Sequence, residues 1–349
     1  MADSCENAEK LVVNVTFPFT LATPKYGPSR PFVGDHAAKA AYVDALEAEL
    51  ASLDDDVKAR EVSAVHLCGG ASIMSADKVN HLVRAIKKTF PLAHGAQISI
   101  DVEPLTVCTP SLTDWTGCGV TRVNLAMLSA DDDELKALGA SHDREKLQNA
   151  LLFLEKFHMT NVSLEELYGL PGQSVASWEK SLLTAAALEA PHIRVRPLVD
   201  VHEGSDAPAA DAVLAAEAAK LPSREERAAY YERACTVLAG KGYTQYAPGD
   251  FVKGDAPHAR DVCGELVRGG ADVLGLGAGA KTRMDGFMYE NALDFDLYVE
   301  KSADFEAIVR NPLREDEVAR AARVAPAFET LGLEERLAQL EELGKAYAR

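Results

Sequence analysis

Short apolar runs rich in β-branched residues alternate along the chain with longer segments in which apolar residues recur every three or four positions. The short runs have the sequences LVVNV (11–15), VSAVHL (62–67), QISIDV (97–102), TRVNLAM (121–127), NVSLEELY (161–168) and HIRVRPLV (192–199). Runs of this kind predict strands, and the longer segments predict amphipathic helices. Strands that alternate with helices are typical of repeated βα units around a parallel sheet, and six units are countable by residue 198.

The predicted helices carry start signals and apolar faces. One is expected from Asp35 to Leu53, and a second begins after Ser75, which occupies its N-cap position. Ser174 is the expected cap of the helix that contains WEKSLLTAAALEA. The helix after Ser75 shows the i, i+3, i+4, i+7 spacing of a buried face in Val79, Leu82, Val83 and Ile86.

The character of the chain changes after the sixth run. Residues 1–200 form the predicted βα core, and residues 201–222 are rich in alanine and acidic residues, as in a linker or a soluble helix. Residues 223–312 combine one amphipathic helix with the strand-like pieces TQYAPGDF and DVLGLGAGA, which predicts a smaller appended α+β domain. Residues 313–349 are expected to form a helical tail with solvated charges.

Charge and hydropathy exclude several classes of partner. The 349 residues contain 36 Lys and Arg against 54 Asp and Glu, a net charge of −18, so nucleic acid and anionic membrane surfaces should be repelled. The longest apolar stretches are far shorter than the roughly 20 residues of a membrane span, and the first residues contain no apolar signal core. A cytoplasmic location is therefore expected.

The six cysteines are scattered and include no C-x-x-C pair. Neither a disulfide framework nor a compact zinc site is therefore encoded locally, and free thiols in a reducing compartment are expected.

Several longer motifs resemble those of a known enzyme family. They are HLCGGAS, GVTRVNLAMLSADDDELKALGASHD, ELYGLPGQSVASWEKSL, GYTQYAPGDF and LGLGAGAKTR, in the family's order and spacing. From about Leu11 to Val299 the chain resembles the oxygen-independent coproporphyrinogen III oxidases and their relatives the heme chaperones, which are radical S-adenosylmethionine proteins. The resemblance implies an α/β fold: a partial (β/α)6 barrel of the radical-SAM TIM type with a smaller appended α+β domain and a helical C-terminal tail.

The family's chemistry depends on a C-x-x-x-C-x-x-C loop after the first strand, whose thiolates hold a [4Fe-4S] cluster that cleaves S-adenosylmethionine. In this sequence the matching positions are Pro18, Ala22 and Lys25, none of which can ligate iron as a thiolate. We therefore interpret the chain as a degenerate member. No catalytic residue, metal ligand or bound cofactor is predicted.

Other family positions have changed as well. The cofactor-binding glycine triplet reads Cys68, Gly69, Gly70, while Leu128 replaces a glutamine and Ala140 an arginine. Glu165 replaces an aspartate, and Lys281 replaces the histidine that follows GAGA. The family's H-N-x-x-Y heme segment, which would lie near Asp261 and Val262, is absent. Neither the oxidase nor the heme-chaperone mechanism can be transferred residue by residue.

Any surviving ligand site is expected at the carboxyl ends of the strands, because the loops that leave parallel strands converge there. The glycines after the second strand would leave room for a ligand close to the backbone. The residues predicted to border this site are Gly69, Gly70, Asp101, Glu165, Tyr168 and Arg196.

Arg194 and Arg196 alternate along the sixth run, so both should face one side of the sheet. Inward-facing cations would suit an anionic ligand such as a tetrapyrrole. Ion pairs with Glu165 or Glu166 on the adjacent strand are the favoured interpretation.

Each of the remaining motifs has a structural interpretation as well as a functional one. GLGAGA matches a dinucleotide fingerprint, but KTRMDGFMYEN after it lacks the required helical stripe, so a tight glycine strand exit is favoured. His66 is interpreted as a satisfied core histidine, and YGLPGQS as a helix-entry turn or a ligand contact. For His142 the two interpretations stay open.

Three functional hypotheses follow. The leading one is a binding scaffold without redox chemistry, with a tetrapyrrole or another small anion as its ligand. The second is an active radical enzyme of the coproporphyrinogen oxidase type, whose cluster uses Cys68, Cys108 or Cys118. The third is a structural or partner-binding protein with no small ligand.

Overall fold

A computed structural model describes residues 10–21, 34–170, 172–198, 222–254, 256–315 and 331–347. Its first six strands are neighbours in chain order and all run parallel. They are β1 (Leu11–Phe17), β2 (Val62–Gly69), β3 (Leu92–Val102), β4 (Arg122–Leu128), β5 (Val162–Tyr168) and β6 (His192–Pro197). The sheet has two free edges, as in a partial barrel. The predicted α/β fold with six parallel βα units is confirmed.

Helices connect these strands near the predicted positions. They are α1 (His36–Ser52), α2 (Asp55–Lys58), α3 (Ala76–Thr89), α4 (Thr109–Cys118), α5 (Asp132–Leu138), α6 (Arg144–Lys156) and α7 (Val175–Ala187). The side chain of Asp35 accepts a hydrogen bond from the Ala38 amide, and Ser174 accepts one from the Ser177 amide. Ser75 occupies the N-cap of α3 as predicted, although its hydroxyl makes no capping hydrogen bond.

The second half of the chain extends the same sheet at both edges. Its elements are α8 (Arg224–Gly240), β7 (Tyr243–Ala247), β8 (Asp250–Lys253), α9 (Val262–Arg268), β9 (Asp272–Leu276), β10 (Lys281–Met284), β11 (Phe287–Asn291), α10 (Phe295–Lys301), α11 (Phe305–Ile308), β12 (Val309–Arg314) and α12 (Leu333–Tyr347). The order is β12-β11-β10-β9-β1-β2-β3-β4-β5-β6-β8-β7. Strand β9 lies parallel to β1, and β8 lies antiparallel to β6.

Two segments differ from the sequence expectations. TQYAPGDF is not one strand: it contains most of β7, a turn at Pro248 and Gly249, and the start of β8. The chain reverses there because Gly249 adopts a positive φ of 73°. Strand β12 ends at Arg314, so the first residues of the expected tail are extended, and helix follows at α12. Residues 201–221, which cover most of the predicted linker, lie outside the described residues.

The two faces of the sheet have opposite chemistry. On the outer face, Val13, Val65, Ile100, Leu125 and Leu164 are fully or almost fully buried and pack against the surrounding helices as one apolar cluster. The inner face carries polar and charged side chains at the alternate positions, because successive strand residues point to opposite sides. We call the space on this inner face the lumen. Within the described ranges, no helix combines the length and apolar character that crossing a membrane requires.

Candidate functional site

A hydrogen-bonded trio occupies the lumen near the carboxyl ends of β2, β3 and β4. His66 Nε2 lies 2.8 Å from Asp101 Oδ1, and Asn124 Nδ2 donates to the same oxygen at 2.9 Å. The amide of Gly69 donates to Asp101 Oδ2 at 3.0 Å. His66 is thus a satisfied histidine, as interpreted from the sequence, although its partners are polar lumen residues.

Within the trio, the charges of His66 and Asp101 compensate each other. Burial alone would lower the pKa of His66, but the adjacent Asp101 carboxylate raises this pKa well above its ordinary value. Burial would raise the pKa of Asp101, whereas the charge and hydrogen bond of His66 and the hydrogen bonds from Asn124 and Gly69 lower it. Imidazolium and carboxylate therefore stabilise each other, and this pair offers little free charge to a ligand.

Arg194 forms the second lumen cluster. Its Nε donates to Asp250 Oδ1 at 2.7 Å, and its two terminal nitrogens pair with Glu165 Oε1 at 3.1 Å and with Asp261 Oδ2. Arg196 Nη2 lies 3.2 Å from the same Asp250 oxygen. Burial would raise the pKa of Asp250, but Arg194, Arg196 and Arg268 hold it far below its ordinary range. The favoured interpretation of ion pairing holds for Glu165, and both arginines are partnered by carboxylates.

The structure brings together some of the predicted site residues and separates others. Gly69, Asp101, Glu165 and Arg196 all belong to the lumen side of the strands. Tyr168 lies on the opposite face, where its ring packs 5.6 Å from that of Trp178. The cause is the period of two along β5, which turns Glu165 inward and Glu166 and Tyr168 outward.

The segment after β1 packs closely on the glycines at the end of β2. A Cβ atom at Gly69 would lie 2.7 Å from the Phe17 carbonyl oxygen, and one at Gly70 would lie 2.2 Å from that of Phe19. Phe17 and Phe19 are almost fully buried, and the Phe19 ring meets Tyr42 edge to face at 5.3 Å. Packing of Phe17 and Phe19 thus holds the described part of this segment in place, and the space beside Gly70 is filled by protein backbone.

We expect Gly70→Ala to destabilise the protein by about 1–3 kcal/mol, because the new methyl group overlaps the Phe19 backbone. Gly117→Ala is the matched control: nothing lies within 4 Å of a Cβ there, and alanine favours helix α4 by up to about 1 kcal/mol. Urea unfolding followed by circular dichroism measures both. Equal stability of the two variants would contradict the close approach.

A small recess opens where the ends of β3 to β6 converge. Its volume is about 110 Å³, and its wall includes Glu103, Leu128, Leu138, Ala140, Leu167 and Leu198. Two of these residues, Leu128 and Ala140, stand at the positions where the family pattern has polar side chains. Glu103 supplies a carboxylate that accepts a hydrogen bond from Ser141 Oγ at 2.8 Å. The structure thus shows a mostly apolar recess at the carboxyl edge of the strands, with the Glu103 carboxylate in its wall.

GLGAGA forms the exit from β9 and not the start of a helix. A Cβ at Gly277 would lie 2.5 Å from the Thr16 carbonyl oxygen, and the hairpin of β10 and β11 follows directly. The Gly277 amide donates to buried Glu49, which also accepts from Asn291 and Tyr298. The favoured interpretation of a glycine strand exit is confirmed.

Comparison with known proteins relates this geometry to a family. No protein-family model matches the chain. It is 24% identical over 209 residues to the heme chaperone HemW of Haemophilus influenzae, covering 60% of this chain and 52% of that protein. It is 24% identical over 272 residues to radical S-adenosyl methionine domain-containing protein 1 of Danio rerio, covering 77% and 59%.

The chain is therefore similar in sequence to the heme chaperones named HemW, of which the Escherichia coli protein is 26% identical over 217 residues. It spans just over half the length of these two relatives. Its fold is that of Escherichia coli coproporphyrinogen III oxidase HemN, with a TM-score of 0.77 and 19% identity over 99% of this chain and 82% of HemN. The fold expected from the sequence motifs is confirmed.

The thiols in the described part of the chain are not arranged to hold a [4Fe-4S] cluster. Pro18 occupies the first ligand position, and the second and third lie outside the described residues. Cys108 and Cys118 sit at opposite ends of the ten-residue helix α4, about 15 Å apart at 1.5 Å per residue. Among the described residues, no three His, Cys, Asp or Glu side chains are grouped so as to hold a metal ion. The arrangement of Cys68, Cys108 and Cys118 therefore gives no support to the hypothesis of unusual ligands.

Proposed function

We propose that this protein is a binding scaffold without cluster-dependent redox chemistry. Its ligand would be a tetrapyrrole bound across the carboxyl edge of the sheet. The observation that carries the proposal is the replacement of the cluster loop: Pro18 stands at a cysteine position between buried Phe17 and Phe19. Packed aromatic side chains supply the local order that a cluster supplies in a radical enzyme. The name of the relatives, heme chaperone, supports the choice of ligand.

The shape of the edge determines how such a ligand would bind. The recess of about 110 Å³ is smaller than the roughly 300–1,000 Å³ of sites that enclose a whole small molecule. A tetrapyrrole would therefore lie over Leu128, Leu167 and Leu198 with its macrocycle against their apolar side chains. Its carboxylates would not bind Arg194 and Arg196, because Asp250, Glu165 and Asp261 already pair with these arginines.

Anaerobic reconstitution with iron and sulfide tests the loss of redox chemistry. We expect iron and sulfide far below one cluster per chain, and an absorption spectrum without cluster bands. Stoichiometric iron that disappears when Cys68, Cys108 or Cys118 is changed to serine would instead show an active radical enzyme with unusual ligands. A parallel calorimetric titration should show only weak S-adenosylmethionine binding, whereas micromolar binding that Glu165→Ala weakens would show that the cofactor site survives.

Heme titration followed by the Soret band tests the ligand. We expect saturable binding that Leu167→Arg weakens by about tenfold or more, because it forces a charge under the apolar macrocycle. Leu152→Arg is the control, since Leu152 is 62% exposed on helix α6, away from the recess. An equal effect of both substitutions, or no saturable binding, would favour a partner-binding protein without a small ligand.

A further inference from the structure

Two hydrogen-bond acceptors face each other behind the rim of the recess. Glu103 Oε2 lies 4.0 Å from Nδ1 of His142, whose side chain is fully buried. Nε2 of His142 lies 3.2 Å from the carbonyl oxygen of Met127. A carbonyl oxygen can only accept, so Nε2 carries the ring proton and donates it to Met127.

The other ring nitrogen of His142 has no hydrogen-bond partner within the described part of the chain. Burial lowers the pKa of His142, and the hydrogen bond to Met127 and the nearby Glu103 carboxylate offset this lowering only in part. The ring is therefore neutral near pH 7, and Nδ1 presents a lone pair toward the carboxylate. Neutral His142 cannot neutralise Glu103.

The Glu103 carboxylate lacks a positive counterpart among the described residues. Its side chain is 32% exposed, and within that part of the chain no lysine or arginine lies within 4.0 Å of it. Ser141 Oγ donates to Oε2, which supplies a hydrogen bond but no charge. A positively charged hydrogen-bond donor beside this half-buried carboxylate would therefore be stabilised by it.

The rest of the recess is narrow and mostly apolar, and Thr20 and Ser141 are its further polar side chains. The apolar part of its wall includes Leu128, Leu138, Ala140, Leu167 and Leu198, and its volume of about 110 Å³ suits a branched chain of a few carbons. An anionic group inside the recess is disfavoured, because it would meet Glu103. A neutral apolar ligand would fill the volume without satisfying the carboxylate.

We propose that this recess binds a small aliphatic primary amine, with its ammonium group on Glu103 and its carbon chain among the leucines. The ammonium group would donate a hydrogen bond to the Glu103 carboxylate. The lone pair of His142 Nδ1, behind that carboxylate, would add a further partial negative charge. The inference rests on the proposed function in one respect: both treat the strand edge as a ligand site that holds no cluster. Tetrapyrrole binding is measured by a separate titration and can fail or succeed independently.

Calorimetric titration with isopentylamine, and with its neutral isostere isopentanol, tests the proposal on the wild-type protein. We expect the amine to bind at least about tenfold more tightly than the alcohol, because a charge-assisted hydrogen bond is lost with the alcohol. Glu103→Gln should remove this preference while leaving the fold intact by circular dichroism. The matched control is Glu155→Gln, which changes an exposed carboxylate of helix α6 and should leave the preference unchanged.

Three results would overturn the proposal. One is equal affinity for amine and alcohol in the wild type, which needs no variant and so does not depend on folding of Glu103→Gln. Another is an equal loss of amine binding in Glu103→Gln and Glu155→Gln, which would indicate attraction to the acidic surface in general. The third is micromolar binding of S-adenosylmethionine in competition with isopentylamine, which would assign the recess to that cofactor.

Discussion

Replacing Glu166 by leucine should make the protein more stable, by an amount that increases with pH. Glu166 is completely buried on the outer face of β5, and neither carboxyl oxygen has a hydrogen-bond partner among the described residues. Burial, with a smaller contribution from Glu134, raises the pKa of Glu166 from 4.5 to about 8. The folded protein therefore holds this side chain in its protonated form at neutral pH.

The sign of the pH dependence follows from this raised pKa. The contribution to folding stability is complete below the unfolded-state pKa of 4.5 and declines as pH rises toward about 8, because the unfolded state releases the proton first. Raising the pKa from 4.5 to about 8 corresponds to about 5 kcal/mol once the pH exceeds the folded-state value. Leucine has no proton to release, so Glu166→Leu should not show this decline.

Urea unfolding of both proteins at pH 5, 7 and 9 measures the effect. The difference in free energy of unfolding between Glu166→Leu and wild type should grow steadily over this series. Glu166→Gln should also abolish the pH dependence, although it leaves a buried amide without partners and so gains less stability. Glu155→Gln, on the solvent side of α6, is expected to follow the wild-type curve. Parallel curves for wild type and Glu166→Leu would refute the prediction.

Arg194→Met should destabilise the protein by about 3–5 kcal/mol at neutral pH, because removing one partner of a buried ion pair leaves uncompensated charge. Arg194 is almost fully buried and contacts three carboxylates, those of Asp250, Glu165 and Asp261. Methionine has a similar length but no positive charge. Asp250, whose side chain is fully buried, would then depend on its remaining arginines.

Arg233→Met provides the comparison for this prediction. Arg233 also pairs with a carboxylate, Glu179 at 2.6 Å, but its side chain is 40% exposed. Exposed pairs contribute about 0–1 kcal/mol, so this substitution should cost little. The loss in Arg194→Met should also shrink near pH 3, where the freed carboxyls take up protons. Similar losses in both variants at neutral pH would show that the lumen cluster does not need its central cation.

The positions of the strands and helices were largely predictable because they depend on local periodicity. The six apolar runs became β1 to β6, and the i, i+3, i+4 pattern after Ser75 became the buried face of α3. The loss of the cluster cysteines could also be read directly from Pro18, Ala22 and Lys25. The parallel strand β9 was harder to place, since its pairing with β1 joins residues about 260 positions apart.

The two faces of β5 could not be assigned from the sequence alone. Period two places Glu165 and Glu166 on opposite faces, but it does not say which face is the lumen. Glu165 meets Arg194, while Glu166 is buried among helices without a partner in the described part of the chain. Tyr168 was assigned to the ligand site and instead packs on Trp178. Strand direction and sheet order, both tertiary properties, decided these outcomes.

The sequence by itself determined the βα repeat, the acidic character and the absence of thiols at the cluster positions, because each depends on residues that are close in the chain. Only the tertiary structure decided the partners of the charges. Arg194 pairs with Asp250 and Asp261, which lie 56 and 67 residues further along the chain. Glu103, in the wall of the recess, lies 4.0 Å from Nδ1 of His142. Electrostatic interaction depends on distance and burial in space, and neither can be read from the order of residues.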